Sequence, residues 1–366
     1  MLAVLNELSE RDESLQALFV CDKAFETQSR GLMAKALVPV EVRVIAAGKL
    51  RRYHNVPLWK QLLDLPTVFF NLRDLFKIGY GYLQSLVLLR RFKPDVVFAK
   101  GGYVCLPLGY AARTLGIPVV VHDSDTRPGL TNTILSRFAV KIATGSPLEN
   151  YNYPADKARF TGVPIDAAFH KFSSQEQASA KQALGFAVET PLIVVTGGGL
   201  GAASINEGVL EAAPKLLEQG YGIYHVTGKR HFAEISGRAA QHDRYKFVEF
   251  VYQDMPQVLG AADVVVSRAS ATFLQEMAAL AKATIMVPAS QLGDQVKNAE
   301  VYRKADAAVV LYDDQIRDGH SLEEAVERIL KETDKTHDMI QRFHAFSAEN
   351  AAKEVAEMVY EVGSRG

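Results

Sequence analysis

The sequence predicts an α/β protein built on two successive parallel sheets. Short apolar runs alternate with helix-length segments along the 366 residues. The pattern starts afresh at Pro191-Leu192-Ile193-Val194-Val195-Thr196, after the polar passage Ser173-Ser174-Gln175-Glu176-Gln177. Several apolar runs break directly into glycines or other small residues, as a strand does when it turns into a helix.

In order along the first half, Leu15–Cys21, Val42–Ala46, Asp95–Ala99, Pro118–His122 and Lys141–Thr144 read as buried strands, with a short strand ending at Thr161-Gly162-Val163-Pro164. Gly101-Gly102-Tyr103 follows one of them where the backbone must turn tightly. Met1–Leu8 reads as an amphipathic helix with no N-cap before it. A parallel α/β domain ordinarily opens on a strand, so a first strand and loop are expected ahead of this helix. In the second half, strands are expected at Pro191–Thr196, Gly222–Val226, Phe247–Phe250, Asp263–Ser267, Thr284–Val287 and Ala307–Val310, with a helical tail from Asp338 to Val362. Two similar halves suggest a two-lobed, cleft-binding enzyme.

Composition narrows the class. The length favours two domains over one. A net charge of −1 argues against a globally basic nucleic-acid binder. Cys21 and Cys105 sit in apolar runs without metal-type spacing and read as reduced thiols. No run approaches the roughly 18 apolar residues of a membrane span, and no signal peptide is recognisable. The expected compartment is the cytosol.

One segment stands apart. Between Lys49 and Lys93 nine Lys/Arg face only Asp64 and Asp74, interleaved with Trp59, Phe69, Phe70, Phe76, Tyr80 and Tyr82. One reading is a helical pair packed on its own sheet. The other is a surface resting on anionic lipid, where each basic residue contributes about 1 kcal/mol.

The chemistry-bearing stretch is Asp263–Asn298. It reads strand, small-residue loop, helix, strand, polar loop, helix, and ligands of parallel sheets bind beyond the strands' carboxyl ends. Glu276 falls just inside the first helix, where a carboxylate can accept both hydroxyls of a ribose. Gln295 and Asn298 are on one face of the second, where amides can donate to and accept from sugar hydroxyls. Ordinary helix-end capping accounts for the same amides. Gly197-Gly198-Gly199-Leu200-Gly201 lets backbone N–H groups approach phosphate, but no P-loop lysine follows. His122-Asp123-Ser124-Asp125 ends a first-half strand and reads as a general base, a metal site or a structural loop.

Taken together, Lys100-Gly101-Gly102-Tyr103-Val104, Leu115-Gly116-Ile117-Pro118, His122-Asp123, Pro128-Gly129-Leu130-Thr131-Asn132, Gly197-Gly198-x-Leu200-Gly201-Ala202, Asp254-Met255, Ala262–Arg268, Glu276 and Gln295-x-x-Asn298-Ala299 form an ordered series. The series resembles the MurG family of N-acetylglucosaminyltransferases over almost the whole chain. The resemblance implies a GT-B fold of two Rossmann-like domains with parallel sheets facing across a cleft. The first would be an acceptor and membrane-associated domain, 1–163, with the C-terminal helix 345–366 packing back on it. The second, 164–344, would bind the donor. It further implies UDP-N-acetylglucosamine as donor and lipid I, a polyprenyl-diphospho-sugar, as acceptor, with lipid II as product. No metal or other cofactor and no nucleic acid are expected. Segment 49–93 would rest on the cytoplasmic face of the inner membrane. Donor binding would fall to Gly198, Gly199, Leu200, Gly201, Tyr252, Ala271, Thr272, Phe273, Leu274, Gln275, Glu276, Gln295 and Asn298. The acceptor and diphosphate region would comprise Gly101, Gly102, Tyr103, Asp125 and Asp166, and His122 and Asp125 are the catalytic candidates.

The sequence departs from that family in places. The family's first strand and glycine-rich loop, carrying a histidine implicated in catalysis, would precede Met1. Asp125 stands for an Asn, Asp166 for an Arg, Gly199 for a Ser and Ser270 for a Gly. An Arg-to-Asp reversal beside a diphosphate weakens binding by Coulomb repulsion. A relative using another UDP-sugar or glycolipid acceptor, or a sugar-nucleotide-binding protein without turnover, therefore stays open here.

Overall fold

The computed structural model describes residues 1–49, 64–126, 128–198, 201–251, 254–348 and 350–365. Residues 50–63 with Trp59, and the expected donor contacts Gly199, Leu200 and Tyr252, lie outside them. The chain forms two compact units, Met1–Asp166 with Glu349–Gly366, and Ala167–Ala348. All strand pairs described are parallel.

The first unit carries two sheets. β1 (Ala17–Cys21) pairs with β2 (Val40–Val44), while β3 (Val97–Ala99), β4 (Val119–Asp123), β5 (Lys141–Thr144) and β6 (Ala158–Phe160) form a second sheet in that order. Helix Leu2–Arg11 touches both. Its Val4 and Leu8 pack with Val120 of β4 and with Val355 and Val359 of the last helix, while Leu2 and Leu5 pack against Cys21, Met33 and Val42. The described part of the basic segment forms the long helix Leu65–Phe92. Its inner side places Tyr82, Leu86 and Leu89 against Val97, Ala111 and Val119.

The second unit is a single six-stranded sheet. β7 (Leu192–Thr196), β8 (Gly222–Val226), β9 (Tyr245–Val248), β10 (Val264–Ser267), β11 (Ala283–Met286) and β12 (Val309–Val310) lie in the order β9-β8-β7-β10-β11-β12. Its apolar runs are unbroken because helices cover both faces. Ile193, Val195, Val264 and Val266 enter one core, and Leu192, Val194 and Val265 enter the other. Each such side chain contributes about 1.5–3 kcal/mol on burial. The strand order reverses between β7 and β10, the position at which open parallel sheets take their ligands.

The expected boundaries need three corrections. The helix carrying Glu276 begins at Ala271, so Glu276 lies in its middle turns rather than at its start. The tail is two helices, Thr333–His344 and Ala351–Gly363, not one. Between them Phe346 packs against Tyr302, rings tilted with centroids 4.6 Å apart, which holds the chain in the second unit's core before the last helix starts. The final strand shrinks to Val309–Val310, because Ala307 N–H turns back to Tyr302 O and closes the preceding helix.

Candidate functional site

At the switch point of the second unit, β7 and β10 each feed a helix. Helices Ala203–Glu218 and Ala271–Leu280 have Ala202 and Ser270 as N-caps, and among the described residues neither helix has a side-chain cap. Their first backbone N–H groups therefore lack the usual intramolecular acceptor, and the helix dipole adds partial positive charge there. Adjacent strands thus present two helix starts suited to an anion. The turn after β7 depends on glycine. Gly201 has φ +77°, and a Cβ there would fall 2.4 Å from Thr227 O. Gly201 N–H donates to Gly198 O at 3.0 Å, and Gly198 N–H donates to Thr196 Oγ1 at 3.2 Å. Gly198 is exposed, with open space where a side chain would point.

Around this turn the expected donor residues divide. Ala271, Phe273 and Glu276 are half-buried and Thr272 is exposed. Leu274 is in the core, and the buried Gln275 amide donates to Phe346 O at 3.1 Å. The side chains of these two are taken up by the fold, leaving only their backbone to face a ligand. Gln295 Oε1 accepts from Ala289 N–H at 3.0 Å, and the buried Asn298 amide donates to Ala269 O at 3.1 Å. The second helix's amides thus hold the loops after β10 and β11.

A charged network that sequence reasoning overlooked joins the same loops. Arg268, directly after β10, donates to Asp313 Oδ1 at 2.8 Å, to Val287 O at 2.9 Å and to Ser204 Oγ at 2.9 Å. Burial alone would raise the Asp313 carboxyl. Hydrogen bonds from Ser204 and Arg268, with the Ser290 backbone N–H, overcome it and hold the carboxyl at about 2. Ser267-Arg268 stood in the sequence series; its partner 45 residues on carried no local signal.

In the first unit the end of β4 is a buried polar cluster. His122 is 0 % exposed, with Nε2 2.9 Å from Gly162 O and Nδ1 3.2 Å from Ser124 Oγ. A carbonyl only accepts, so Nε2 carries the proton and Nδ1 accepts from Ser124. Burial, aided by the Lys100 charge, pushes the imidazole down to about 3. A sealed ring with both nitrogens engaged cannot take a proton from a ligand, which corrects the expectation of His122 as a base. Its neighbour Asp123, 3 % exposed, accepts from Tyr153 OH at 2.7 Å. Burial pushes this carboxyl up to about 6 against the hydrogen bonds from Tyr153 and Asn132. Tyr153 stacks on Tyr151, whose hydroxyl donates to the backbone O of Asp125. Asp125 is half-buried and Asp166 exposed.

Gly101 has φ +87°, and a Cβ there would lie 2.6 Å from Asn132 Nδ2. Gly102 is exposed. The Tyr103 hydroxyl donates to Asp22, and burial, followed by that bond, pushes it up to about 12. Asp123 and Asn132, which stood in the sequence motifs, are joined in this cluster by Tyr151 and Tyr153, which the sequence reading did not include.

The outer face of helix Leu65–Phe92 carries Phe69, Leu72, Phe76, Tyr80, Leu83 and Val87, all exposed and spaced three or four apart. Arg73 and Lys77 flank the stripe, with Arg90 and Arg91 in the last turn. Among the described residues no helix is long and apolar enough to cross a membrane, and no group of three or more His, Cys, Asp or Glu could hold a metal ion.

Residues 1–144 match the N-terminal domain of glycosyltransferase family 28, and residues 192–356 match its C-terminal domain. The fold is thus that of a family 28 glycosyltransferase. The UDP-N-acetylglucosamine–N-acetylmuramyl-(pentapeptide) pyrophosphoryl-undecaprenol N-acetylglucosamine transferase of Clostridium kluyveri is 31 % identical over 324 residues, 87 % of this chain and 85 % of the relative. An enzyme of Bacillus thuringiensis with the same activity in its name is 35 % identical over 275 residues, 74 % of this chain and 72 % of its own. The crystal structure of Acinetobacter baumannii MurG superposes with a TM-score of 0.72 at 21 % identity, covering 98 % of this chain and 94 % of that one. Within family 28, the chain belongs to the MurG-like N-acetylglucosaminyltransferases.

Proposed function

We propose that this chain transfers N-acetylglucosamine from UDP-N-acetylglucosamine to lipid I, undecaprenyl-diphospho-MurNAc-pentapeptide, forming lipid II in peptidoglycan synthesis. The observation that carries the reading is the relative bearing that activity in its name, matched over 85 % of its length. The two uncapped helix starts at β7 and β10 support it, since a nucleoside diphosphate is what they suit.

In this reading the second unit is the donor half. Gly198 and Gly201 bring the backbone to the diphosphate, and Gly199 and Leu200 join them by sequence position. Ala271, Thr272 and Phe273 border the nucleotide, with Glu276 on the ribose and Tyr252 beside the uracil by sequence position. Gln295 turns its amide nitrogen to the sugar while its oxygen holds Ala289, and Asn298 steadies the loop at Ala269. The acceptor half is the first unit, with Gly101, Gly102, Tyr103, Asp125 and Asp166 around the lipid diphosphate. The acceptor hydroxyl attacks the anomeric carbon opposite UDP, giving inversion. A new C–O bond forms, the bond to the UDP oxygen breaks, and the hydroxyl proton passes to a base. With His122 sealed, Asp125 is the base assigned here. Helix-start amides stabilise the departing UDP. The apolar stripe of helix Leu65–Phe92, with its arginines and lysine, rests on anionic lipid at the cytoplasmic face of the inner membrane.

The test is transfer of labelled N-acetylglucosamine to a lipid I analogue. Folded protein that binds UDP yet yields no product overturns the acceptor assignment. The acids at Asp125 and Asp166 favour a second reading, a different UDP-sugar or glycolipid acceptor, which a panel of UDP-sugars scored by thermal shift would separate.

A further inference from the structure

The second unit gathers the loops at its switch point on one side chain. We propose that Asp313 is a positioning residue for donor binding. It would fix the loops after β7, β10 and β11 relative to one another without touching the ligand. The inference rests on the reading that these loops hold the UDP moiety.

Asp313 opens the short helix Asp313–Ile316, after β12 at the sheet's edge. Its Oδ1 accepts from Ser204 Oγ at 2.5 Å and from Arg268 Nη1 at 2.8 Å. Its Oδ2 accepts the backbone N–H and the hydroxyl of Ser290, each at 3.1 Å. These partners belong to different strand–helix connections. Ser204 lies in the first turn of the helix that follows the Gly198–Gly201 turn. Arg268 is the residue directly after β10, two before the N-cap Ser270. Ser290 lies in the loop between β11 and the helix bearing Gln295. A carboxylate with both oxygens engaged, paired to a guanidinium in a partly enclosed setting, is a stiff joint. Side-chain exposures of 15 % for Arg268 and 18 % for Asp313 place the pair beneath the loops rather than on open surface.

The consequence concerns geometry at the ligand. Arg268 also donates to Val287 O, so one cation and one anion tie the ends of β10 and β11 to the start of the β7 helix. Backbone amides stabilise a diphosphate only when held at the right place beforehand. Releasing Asp313 frees the Ser290 loop and the Arg268 turn together, and the donor subsite loosens as a unit.

Asp313→Asn tests this. The amide keeps the size of the side chain, but one of its two ends becomes a donor and can no longer accept from its present partners. Dissociation constants for UDP would be measured by titration calorimetry on wild type and variant, at a temperature where circular dichroism shows both folded. The expected result is about tenfold weaker UDP binding, well inside the roughly hundredfold cost of a 1 Å misplacement. In steady-state transfer assays KM for the donor rises with it, while KM for the lipid acceptor stays unchanged. Ser290→Ala removes one hydroxyl and leaves the Arg268 pair intact. It keeps the test decisive should the first variant fail to fold, with weakening of about threefold expected from the loss of one of several hydrogen bonds. Equal UDP affinity in wild type and in every folded variant of the two overturns this proposal alone. Absence of UDP binding by the wild type overturns the donor-site reading and this proposal with it.

Discussion

Asp123→Asn is the sharpest probe of the buried cluster at the end of β4. The wild-type carboxyl is 3 % exposed and its ionisation is pushed from 3.8 up to about 6 by burial, against hydrogen bonds from Tyr153 and Asn132. Asn132 Oδ1 is buried without a hydrogen-bond partner among the described residues. The folded state therefore holds the proton more tightly than the unfolded chain between about pH 4 and about pH 6. Stability from this group is fully present below about pH 4 and is lost as pH rises through about 6. The rise from 3.8 to about 6 corresponds to roughly 3 kcal/mol. His122 acts in the opposite sense. Its folded value is lowered to about 3 from 6.5, so its contribution is present above 6.5 and is lost on acidification. The two partly cancel in the wild type, and only a difference measurement separates them. Urea unfolding would be followed by far-UV circular dichroism at pH values from about 4 to about 7. Relative to the variant, the wild type should gain about 2.4 kcal/mol on going from pH 7 to pH 4, most of the full difference. A wild-type-minus-variant difference that stays constant across that range would refute the assignment of a buried, readily protonated Asp123.

Further outcomes follow from the same geometry. Leu274→Ala should destabilise the second unit by about 2–5 kcal/mol, read from thermal or urea unfolding, because the side chain is 1 % exposed in the core. A loss under 1 kcal/mol would contradict that placement. Glu276→Ala should weaken UDP binding by about 1.5–3 kcal/mol, the worth of hydrogen bonds to a charged group, measured under conditions where the variant is folded. Uridine diphosphate binding unaffected by the change would remove Glu276 from the ribose. The double variant Phe76→Ser with Leu83→Ser should reduce sedimentation with vesicles containing anionic phospholipid by at least tenfold, since each apolar side chain is worth about 1.5–3 kcal/mol. Both side chains are exposed on the helix's outer face, so secondary structure should persist. Vesicle binding at the wild-type level would count against the membrane surface.

Much was legible along the chain because it is local. Strand runs such as Leu192–Thr196 and Val264–Ser267 are recognisable as continuous apolar stretches, since both faces of the sheet are covered. The glycines after β7 mark a turn whose backbone needs positive φ, and Gly201 proves to be confined by Thr227 O. The ordered series of motifs carried the family. Side-chain direction was less legible. In the helix Ala271–Leu280, the sequence reading gave Glu276 the ribose and counted Leu274 and Gln275 with the same nucleotide-holding segment. Only the packing of Leu274 into the core and of Gln275 onto Phe346 separates them from Glu276.

The sequence by itself determined a parallel α/β chain in two halves, the glycine turn after β7 and the family, because each rests on residues close together or on their order. The tertiary structure decided what each polar side chain does. His122 was a candidate base until β4 buried it against Gly162 O, and Asp313 drew no notice until Arg268, Ser204 and Ser290 met on it. Burial and partners set the proton affinity and reach of a side chain, and both come from segments distant in sequence.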